Sequence, residues 1–242
     1  MRFRIKSSYE KEIVKLITAS PTQRPEKTKV LDIGSGAGNL AKLLFDKGFD
    51  VFASDLFPEN FVHPQITCKK IDVNKPLPFD DQSIDIITAS EVYEHLENHM
   101  AFARECLRIL RPSGQLIFST PNILNLKSRI SFLFTGYHTG LSPITELDFD
   151  PKEFHISSEP IYQIITILNI NGFRWVGQSS SYWKESCLAW LWLYPLIWFF
   201  SRLKMGKNRN AKQSLANKRL RKVMRSLDLL LGRTLVIKFE KK

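Results

Sequence analysis

The chain has 242 residues, 43% of them hydrophobic and 24% charged, which excludes a disordered or fibrous protein. That length fits a single domain over residues 1–242. The three cysteines are widely spaced and odd in number, which excludes a disulfide framework and favours a reducing compartment. The first residues carry acids and no continuous apolar core, so we expect no signal peptide and a cytoplasmic protein.

The net charge of +11 is concentrated at one end of the chain. Residues 201–242 contain 14 Lys and Arg against two acids, a charge of +12. The first 200 residues contain 21 basic and 22 acidic residues, a charge of −1. The sequence therefore predicts a near-neutral domain with a basic appendage that favours an acidic partner.

The first half of the chain alternates apolar strand patterns with helical patterns. Such strands, without apolar/polar alternation, are typical of a parallel sheet covered on both faces. After a first helix over 7–18, the predicted strands are 30–33, 50–54, 65–71, 84–88 and 115–120, with helices over 39–48 and 97–110.

The pattern changes after residue 120. A loop-rich stretch (121–158) precedes a predicted helix (159–170) and a strand (173–178), and the last strand is 235–240. The segment between these two strands is too long for a hairpin connection, and we interpret it as an insertion.

A glycine-rich segment, VLDIGSGAGN, joins the first strand to its helix. Glycines at such a turn allow close approach of a ligand, and the helix N-terminus offers free N–H groups to an anion. A tight turn needed only for packing is the alternative. Asn39 occupies the place of the last glycine of the dinucleotide fingerprint, so a dinucleotide site fits this segment poorly. Asp55 lies 21 residues after Gly34, at the end of the second strand, where a carboxylate can accept both hydroxyls of a ribose.

These motifs, together with IDVNKPLPFDDQSIDIITASEVYEHL and ARECLRILRPSGQLIFSTPN, resemble the class I S-adenosylmethionine-dependent methyltransferases. The resemblance covers about residues 28–122. It implies a Rossmann-like, doubly wound seven-stranded sheet, mostly parallel with an antiparallel last strand beside strand five. In this sequence a hydrophobic and basic helical insertion would precede that last strand. The parts would be a cofactor-binding half (28–122), a substrate-side region (123–181), the insertion (182–231) and the final strand (232–242).

The resemblance also implies a set of cofactor contacts. Asp55 would bind the ribose, Leu56 and Val73 would flank the adenine, and Asp72 would accept from its amino group. Ser90 would lie under the methyl group. The contacts of the methionine moiety would be Asp32, Gly34, Ser35, Gly36 and Gly38.

The segment SEVYEHLENH follows strand four and admits three interpretations. Glu94 and His95 could begin the next helix and face solvent. His95 could instead be a general base, because its pKa suits proton removal near neutrality. The segment also resembles the metal-binding motif of ubiquinone-type and small-RNA methyltransferases, which implies Mg²⁺ held by Glu91, Glu94, His95 and a later histidine, His155 or else His138.

The insertion contains a 14-residue apolar run, 187–200, that is too short to span a bilayer and that Pro195 would kink. Its tryptophans and flanking bases suit an interfacial helix, and a lid over the substrate pocket is the alternative. Apolar residues at helical spacing over 212–231, among bases, predict a basic amphipathic helix. We favour an anionic membrane surface over nucleic acid as its partner, since this stretch has no aromatics for base stacking.

Together these features predict an O-methyltransferase acting at the inner face of a membrane, peripherally attached. Its acceptor would be a small or lipid-linked molecule such as a glycan precursor, a glycolipid or a quinone-like phenol. An RNA 2′-O-methyltransferase and a catalytically silent scaffold are the alternatives.

Overall fold

The computed structural model describes residues 8–19, 25–139, 155, 157–206 and 211–242, and within them seven strands form one sheet. The strands are β1 (Lys29–Ile33), β2 (Asp50–Asp55), β3 (Cys68–Lys70), β4 (Ile84–Ser90), β5 (Leu110–Pro121), β6 (Phe173–Ser180) and β7 (Thr234–Lys241). The α-helices are α1 (Tyr9–Thr18), α2 (Asn39–Phe45), α3 (His99–Ile109), α4 (Leu126–Thr135), α5 (Ile161–Ile170), α6 (Glu185–Leu188), α7 (Tyr194–Lys204), α8 (Ala211–Met224) and α9 (Leu227–Leu231).

The strand order is β3-β2-β1-β4-β5-β7-β6, and β7 runs antiparallel to both of its neighbours. The other strands share one direction, so their carboxyl ends meet at a single edge of the sheet. This arrangement confirms the predicted fold class, including the position of the last strand beside β5. We call the shared edge the carboxyl edge.

Both faces of the sheet are covered by helices, which explains the absence of apolar/polar alternation in the central strands. Leu31 and Phe118 belong to a core cluster that α3 and α5 cover. Val30 and Ile117 belong to a second cluster on the other face, under α1 and α2. Neighbouring residues of one strand thus enter opposite cores, as the pleat requires.

The structure corrects the prediction for 121–158, because α4 lies within that loop-rich stretch. Asn125 caps α4 by accepting from the Ser128 N–H, and Gly136, with φ of 74°, ends it. Three consecutive apolar residues at its end, Phe132–Phe134, hide the helical period in the sequence. Residues 140–154 and 156 of the same stretch lie outside the described residues.

Two further corrections concern the insertion. Pro195 lies in the first turn of α7, where its missing N–H is harmless, so it begins a helix instead of kinking one. The predicted single amphipathic helix over 212–231 is wrong, because Ser226 starts a separate helix, α9. No helix in the described part of the chain is long and apolar enough to cross a bilayer.

The insertion packs tightly onto the domain. Val223 and Leu229 belong to the main core, and Leu230 and Leu231 form a smaller cluster with Leu126 of α4. The end of α8 and most of α9 are therefore covered by protein, whereas Leu215 and Leu227 are 57% and 43% exposed. Because β5 and β6 both end at the carboxyl edge, α4 and the insertion begin at that edge.

Candidate active site

The glycine-rich turn between β1 and α2 leaves an unfilled space at the carboxyl edge. Gly34, Gly36 and Gly38 have φ of 65°, 51° and 91°. A Cβ at Gly34 would lie 2.3 Å from Cγ2 of Val92, so that position is closed by protein. A Cβ at Gly36 would meet no atom within 4 Å. The space over Gly36, at the N-terminus of α2, suits a ligand that approaches the backbone.

Asp55 ends β2 beside this space. Its Oδ2 accepts from the Gly36 N–H at 2.7 Å, and its Oδ1 accepts from the Phe57 N–H at 2.8 Å. Each oxygen keeps a second acceptor position. The two bonds hold the carboxylate in one orientation, as a group that accepts two hydroxyls must be held.

Asp32 is buried under the same turn. The Thr88 hydroxyl donates to its Oδ1 at 2.8 Å, and its Oδ2 has no hydrogen-bond partner among the described residues. Burial raises the pKa of Asp32 to about 6, against the hydrogen bonds from Thr88 and Ser35. The Ser35 hydroxyl itself donates to the Asp32 carbonyl at 2.9 Å and so stabilises the turn.

The remaining predicted cofactor contacts lie at the same edge. Ser90 ends β4, and its buried hydroxyl has no partner in the described part of the chain. Asp72 follows β3, where its Oδ1 accepts from the Asn74 N–H at 3.0 Å. Val73 packs against the main core, and Leu56 is exposed beside Asp55. The orphaned oxygens of Asp32 and Ser90 and the open space over Gly36 fit the amino acid and ribose parts of S-adenosylmethionine.

The first residue after β4, Glu91, has a left-handed backbone with φ of 54°. Its N–H donates to the Ser119 Oγ at 3.0 Å, and the Ser119 hydroxyl donates to its Oε1 at 2.8 Å. Burial raises the pKa of Glu91, while the Ser119 hydrogen bond and the charges of His155 and Arg233 lower it. This strained residue turns the chain out of the sheet at the site.

A short helical turn, Tyr93–His95, comes next and is anchored by Tyr93. The Tyr93 ring is fully buried and stacks on Phe118 and His99, with ring centroids 4.8 and 4.1 Å away. His99 is thus engaged in the core, where its Nε2 lies 2.9 Å from the Tyr93 carbonyl oxygen. The anchor fixes the two residues that follow Tyr93.

Glu94, His95 and His155 lie together, with one possible ligand atom from each within 4.8 Å of the others. The Ser157 N–H donates to the Glu94 carbonyl at 3.0 Å and brings the His155 segment to the turn. The interpretation in which Glu94 and His95 begin the next helix and face solvent is wrong, since Glu94 is buried and α3 starts at His99.

Neither carboxylate oxygen of Glu94 has a hydrogen-bond partner among the described residues. Burial, and then the negative charge of Glu91, raise the pKa of Glu94 well above its usual value. His138, the second candidate histidine, instead lies 3.1 Å from the Ser128 hydroxyl and stacks on Phe132.

Sequence reasoning missed three residues of the site. Thr88 and Ser119 hold Asp32 and Glu91, and both lie at or near strand ends, where a search for polar side chains would have found them. Tyr9 of α1 lies near Glu91 and Glu94: burial first, and then nearby carboxylates that include these two, raise its pKa to about 12. No local pattern connects Tyr9 with the segment after β4.

Comparisons with known proteins agree with this geometry. Residues 31–118 match the model of a methyltransferase domain. A probable S-adenosylmethionine-dependent methyltransferase of Mycolicibacterium smegmatis is 32% identical over 128 residues, 51% of this chain and 47% of that protein. The chain thus spans about half the length of this relative. A ubiquinone biosynthesis O-methyltransferase of Photobacterium profundum is 29% identical, over 64% of this chain and 71% of its own length.

Among solved structures, an S-adenosylmethionine-dependent methyltransferase from Archaeoglobus fulgidus superposes with a TM-score of 0.60 at 20% identity, covering 97% of this chain and 95% of that one. At that identity the likeness supports the fold alone. Residues 31–118 thus form a methyltransferase domain, and the chain is similar in sequence to S-adenosylmethionine-dependent methyltransferases and shares their fold.

Proposed function

We propose that the protein methylates a hydroxyl group of a hydrophobic or lipid-linked acceptor, at the cytoplasmic face of a membrane. The observation that carries the proposal is the position of the Glu94–His95–His155 cluster at the carboxyl edge, where two residues separate the end of β4 at Ser90 from the turn Tyr93–His95. A proton-accepting group beside the methyl donor is needed when the acceptor is a hydroxyl, and is not needed for an acceptor without a proton to lose.

The chain's own residues would bind the cofactor and orient the acceptor. Asp55 would hold the ribose, and the orphaned oxygens of Asp32 and Ser90 would meet polar groups of the methionine part. S-adenosylmethionine, when bound, supplies a methyl group on a positively charged sulfur that leaves as a neutral thioether. Rate enhancement then depends mainly on holding the acceptor oxygen in line with that methyl.

His95 is the residue that would take the proton from the acceptor hydroxyl. Histidine is the side chain that ordinarily exchanges a proton near neutrality. A negative Glu91 or Glu94 nearby would stabilise the imidazolium that forms. His155, whose ring centroid lies 5.1 Å from that of His95, would complete the acceptor side.

A divalent cation is the alternative occupant of the cluster, and with it bound His95 would be a ligand and no longer the base. The donors of the cluster are two imidazoles and one carboxylate, a set that suits Mn²⁺ or Zn²⁺ better than Mg²⁺, which prefers oxygen ligands. Glu94, with both oxygens buried and unpartnered in the described chain, is the side chain that such a cation would satisfy. A bound cation would lower the pKa of the acceptor hydroxyl.

The hydrophobic class of acceptor is supported by exposed apolar side chains on elements that begin at the carboxyl edge. On α4 these are Phe132, Leu133 and Phe134, which is 78% exposed. On and before α7 they include Trp192 and Phe200, 66% and 60% exposed. The ubiquinone-related name of one relative adds quinone-like phenols to the acceptors worth testing.

The chemistry is tested by methyl transfer from labelled S-adenosylmethionine to a hydroxyl-bearing hydrophobic acceptor. His95→Ala should reduce turnover by roughly 100-fold or more without changing cofactor affinity. The matched control is His138→Ala, which removes a histidine outside the cluster and should have little effect on turnover. Equal turnover in His95→Ala and wild type would remove His95 from the mechanism. Treatment with EDTA and then Mn²⁺, Zn²⁺ or Mg²⁺ tests the cation, and an unchanged rate would exclude it.

Membrane attachment is tested by flotation with vesicles of phosphatidylcholine and phosphatidylglycerol. Phe199→Ser/Phe200→Ser removes apolar area from α7 and should abolish flotation, because burial of such side chains drives interfacial binding. The matched control is Val62→Ser/Ile170→Ser, which replaces exposed apolar residues elsewhere and should float like the wild type. Failure of the wild type to float would overturn the attachment.

A further inference from the structure

A basic groove separates α7 from α8. It encloses a cavity of about 660 Å³. Tyr194 and Trp198 form an aromatic wall on the α7 side. Five cationic side chains and, among the described residues, no acidic one also line the groove. These cations are Arg202, Lys218, Arg221, Lys222 and Arg225.

Two of the arginines hold the two sides of the groove together by hydrogen bonds. Arg225 donates to the Ser201 hydroxyl at 2.6 Å and to the Trp198 carbonyl at 3.0 Å, and Arg221 donates to the Met205 carbonyl. These bonds engage a carbonyl and a hydroxyl of α7 and the carbonyl that follows its last residue, and they hold α8 against α7. Arg202 and Arg225 also lie over the Trp198 ring, 5.5 and 5.1 Å from its centroid.

The charge of the groove is not balanced within the described part of the chain. No acidic side chain there forms an ion pair with any of the five cations. Lys218 and Lys222 are four residues apart on one face of α8, where like charges repel, and Lys218 and Arg221 are three apart. A bound anion would remove this repulsion, which a merely solvated helix face would retain.

The far side of α7 indicates where such an anion would come from. Leu196, Phe199 and Leu203 recur at helical spacing, and they are 50%, 51% and 58% exposed. Tyr194, Trp198 and Arg202 recur at the same spacing on the side that lines the groove. One short helix thus separates an exposed apolar stripe from a basic groove, an arrangement that fits the boundary between acyl chains and headgroups.

We propose that this groove binds the phosphate groups of anionic membrane lipids, while the apolar stripe of α7 enters the acyl boundary. The proposal rests on the membrane attachment proposed above and adds the class of lipid and its site. RNA is the less suitable source of phosphate, because the exposed apolar stripe of α7 on the other side of the groove wall would have no role in binding it.

The test is flotation of the full chain with vesicles of phosphatidylcholine alone or with phosphatidylglycerol added. Lys218→Gln/Lys222→Gln removes two groove cations that form no ion pair with the residues the structure describes. The control, Lys204→Gln/Arg219→Gln, removes the same charge from neighbouring positions outside the groove. The groove variant should lose roughly 30-fold in partitioning to anionic vesicles, at about 1 kcal/mol for each cation, and the control only a few fold.

Each alternative has its own outcome. Equal losses in the two variants would show diffuse electrostatic attraction and overturn the groove as a site. Flotation of the wild type on neutral vesicles to the same extent would also overturn it, while leaving membrane attachment intact. No flotation of the wild type would overturn both proposals, and groove-dependent retention of RNA in a gel-shift assay would then assign the groove to nucleic acid.

Discussion

At the residue scale, Asp32 lowers the stability of the fold at neutral pH, a cost that we ascribe to its proposed role in binding the cofactor. Its pKa is raised from 3.8 to about 6 by burial, so the folded state binds a proton more tightly than the unfolded state. The contribution of Asp32 to stability is therefore most favourable below pH 4 and declines as pH rises towards about 6, with no further change above. At neutral pH the buried charge costs on the order of 3 kcal/mol.

Asp32→Asn should consequently raise the free energy of unfolding at pH 8 by about 1–3 kcal/mol, and the gain should shrink towards zero at pH 4. The variant should also bind S-adenosylmethionine more weakly. Urea unfolding across this pH range and calorimetric titration of the cofactor measure the two effects. A difference in stability that does not depend on pH would contradict the assignment of the raised pKa to this carboxyl.

Gly36 has open space at its Cβ position, and we expect the cofactor to occupy it. Gly36→Ala should destabilise the fold by only about 1 kcal/mol, the cost of a left-handed alanine, and should weaken S-adenosylmethionine binding by more than tenfold. Gly136→Ala is the matched control, because Gly136 also has positive φ and open space around its Cβ position, but lies at the end of α4. Equal cofactor affinity in the two variants would place the cofactor elsewhere.

At the element scale, Asn122 connects the insertion with the sheet. Its buried side-chain amide donates to the Leu229 carbonyl at 2.8 Å and to the Gly232 carbonyl at 2.9 Å. Asn122→Ala would leave two carbonyls without these donors.

We expect Asn122→Ala to lower the free energy of unfolding by about 2 kcal/mol, because buried polar groups left unpaired are expensive. Exposed Asn60→Ala should change it by less than about 0.5 kcal/mol. Chemical denaturation measures both. A loss for Asn122→Ala no larger than for Asn60→Ala would mean that α9 is not held to the sheet in this way.

The elements that sequence reasoning predicts well are those whose pattern is set by burial on both sides. β1, β2 and β4 are continuous apolar runs since each lies between two helical layers, and the glycine turn after β1 marks the cofactor edge. α4 escapes prediction because Phe132–Phe134 are exposed, which removes the amphipathic signal.

Long-range contacts account for the other differences between the predictions from sequence and the structure. The apolar side of 212–231 looks free in the sequence, but Val223 and Leu229 are buried in the main core. His155 reaches His95 through the hydrogen bond between Ser157 and Glu94, which no local pattern reveals. The sequence indicates a place for His155 in the site only through the family resemblance.

At the scale of the whole molecule, the charge of +12 over residues 201–242 is carried in part by a folded structure and not only by a tail. α8 buries Val223 in the main core and directs bases towards α7. Removal of residues 182–231 would also remove core residues such as Leu229 and Leu230. Point variants on the exposed faces are therefore the proper probes of membrane attachment.

The central claim is methyl transfer to a hydrophobic hydroxyl acceptor. The most direct test incubates the purified protein with a membrane fraction and methyl-labelled S-adenosylmethionine, and measures label in the organic-solvent extract. We predict label in that extract that Asp55→Ala and His95→Ala both abolish. Label confined to RNA, or extract label that His95→Ala leaves unchanged, would contradict the account.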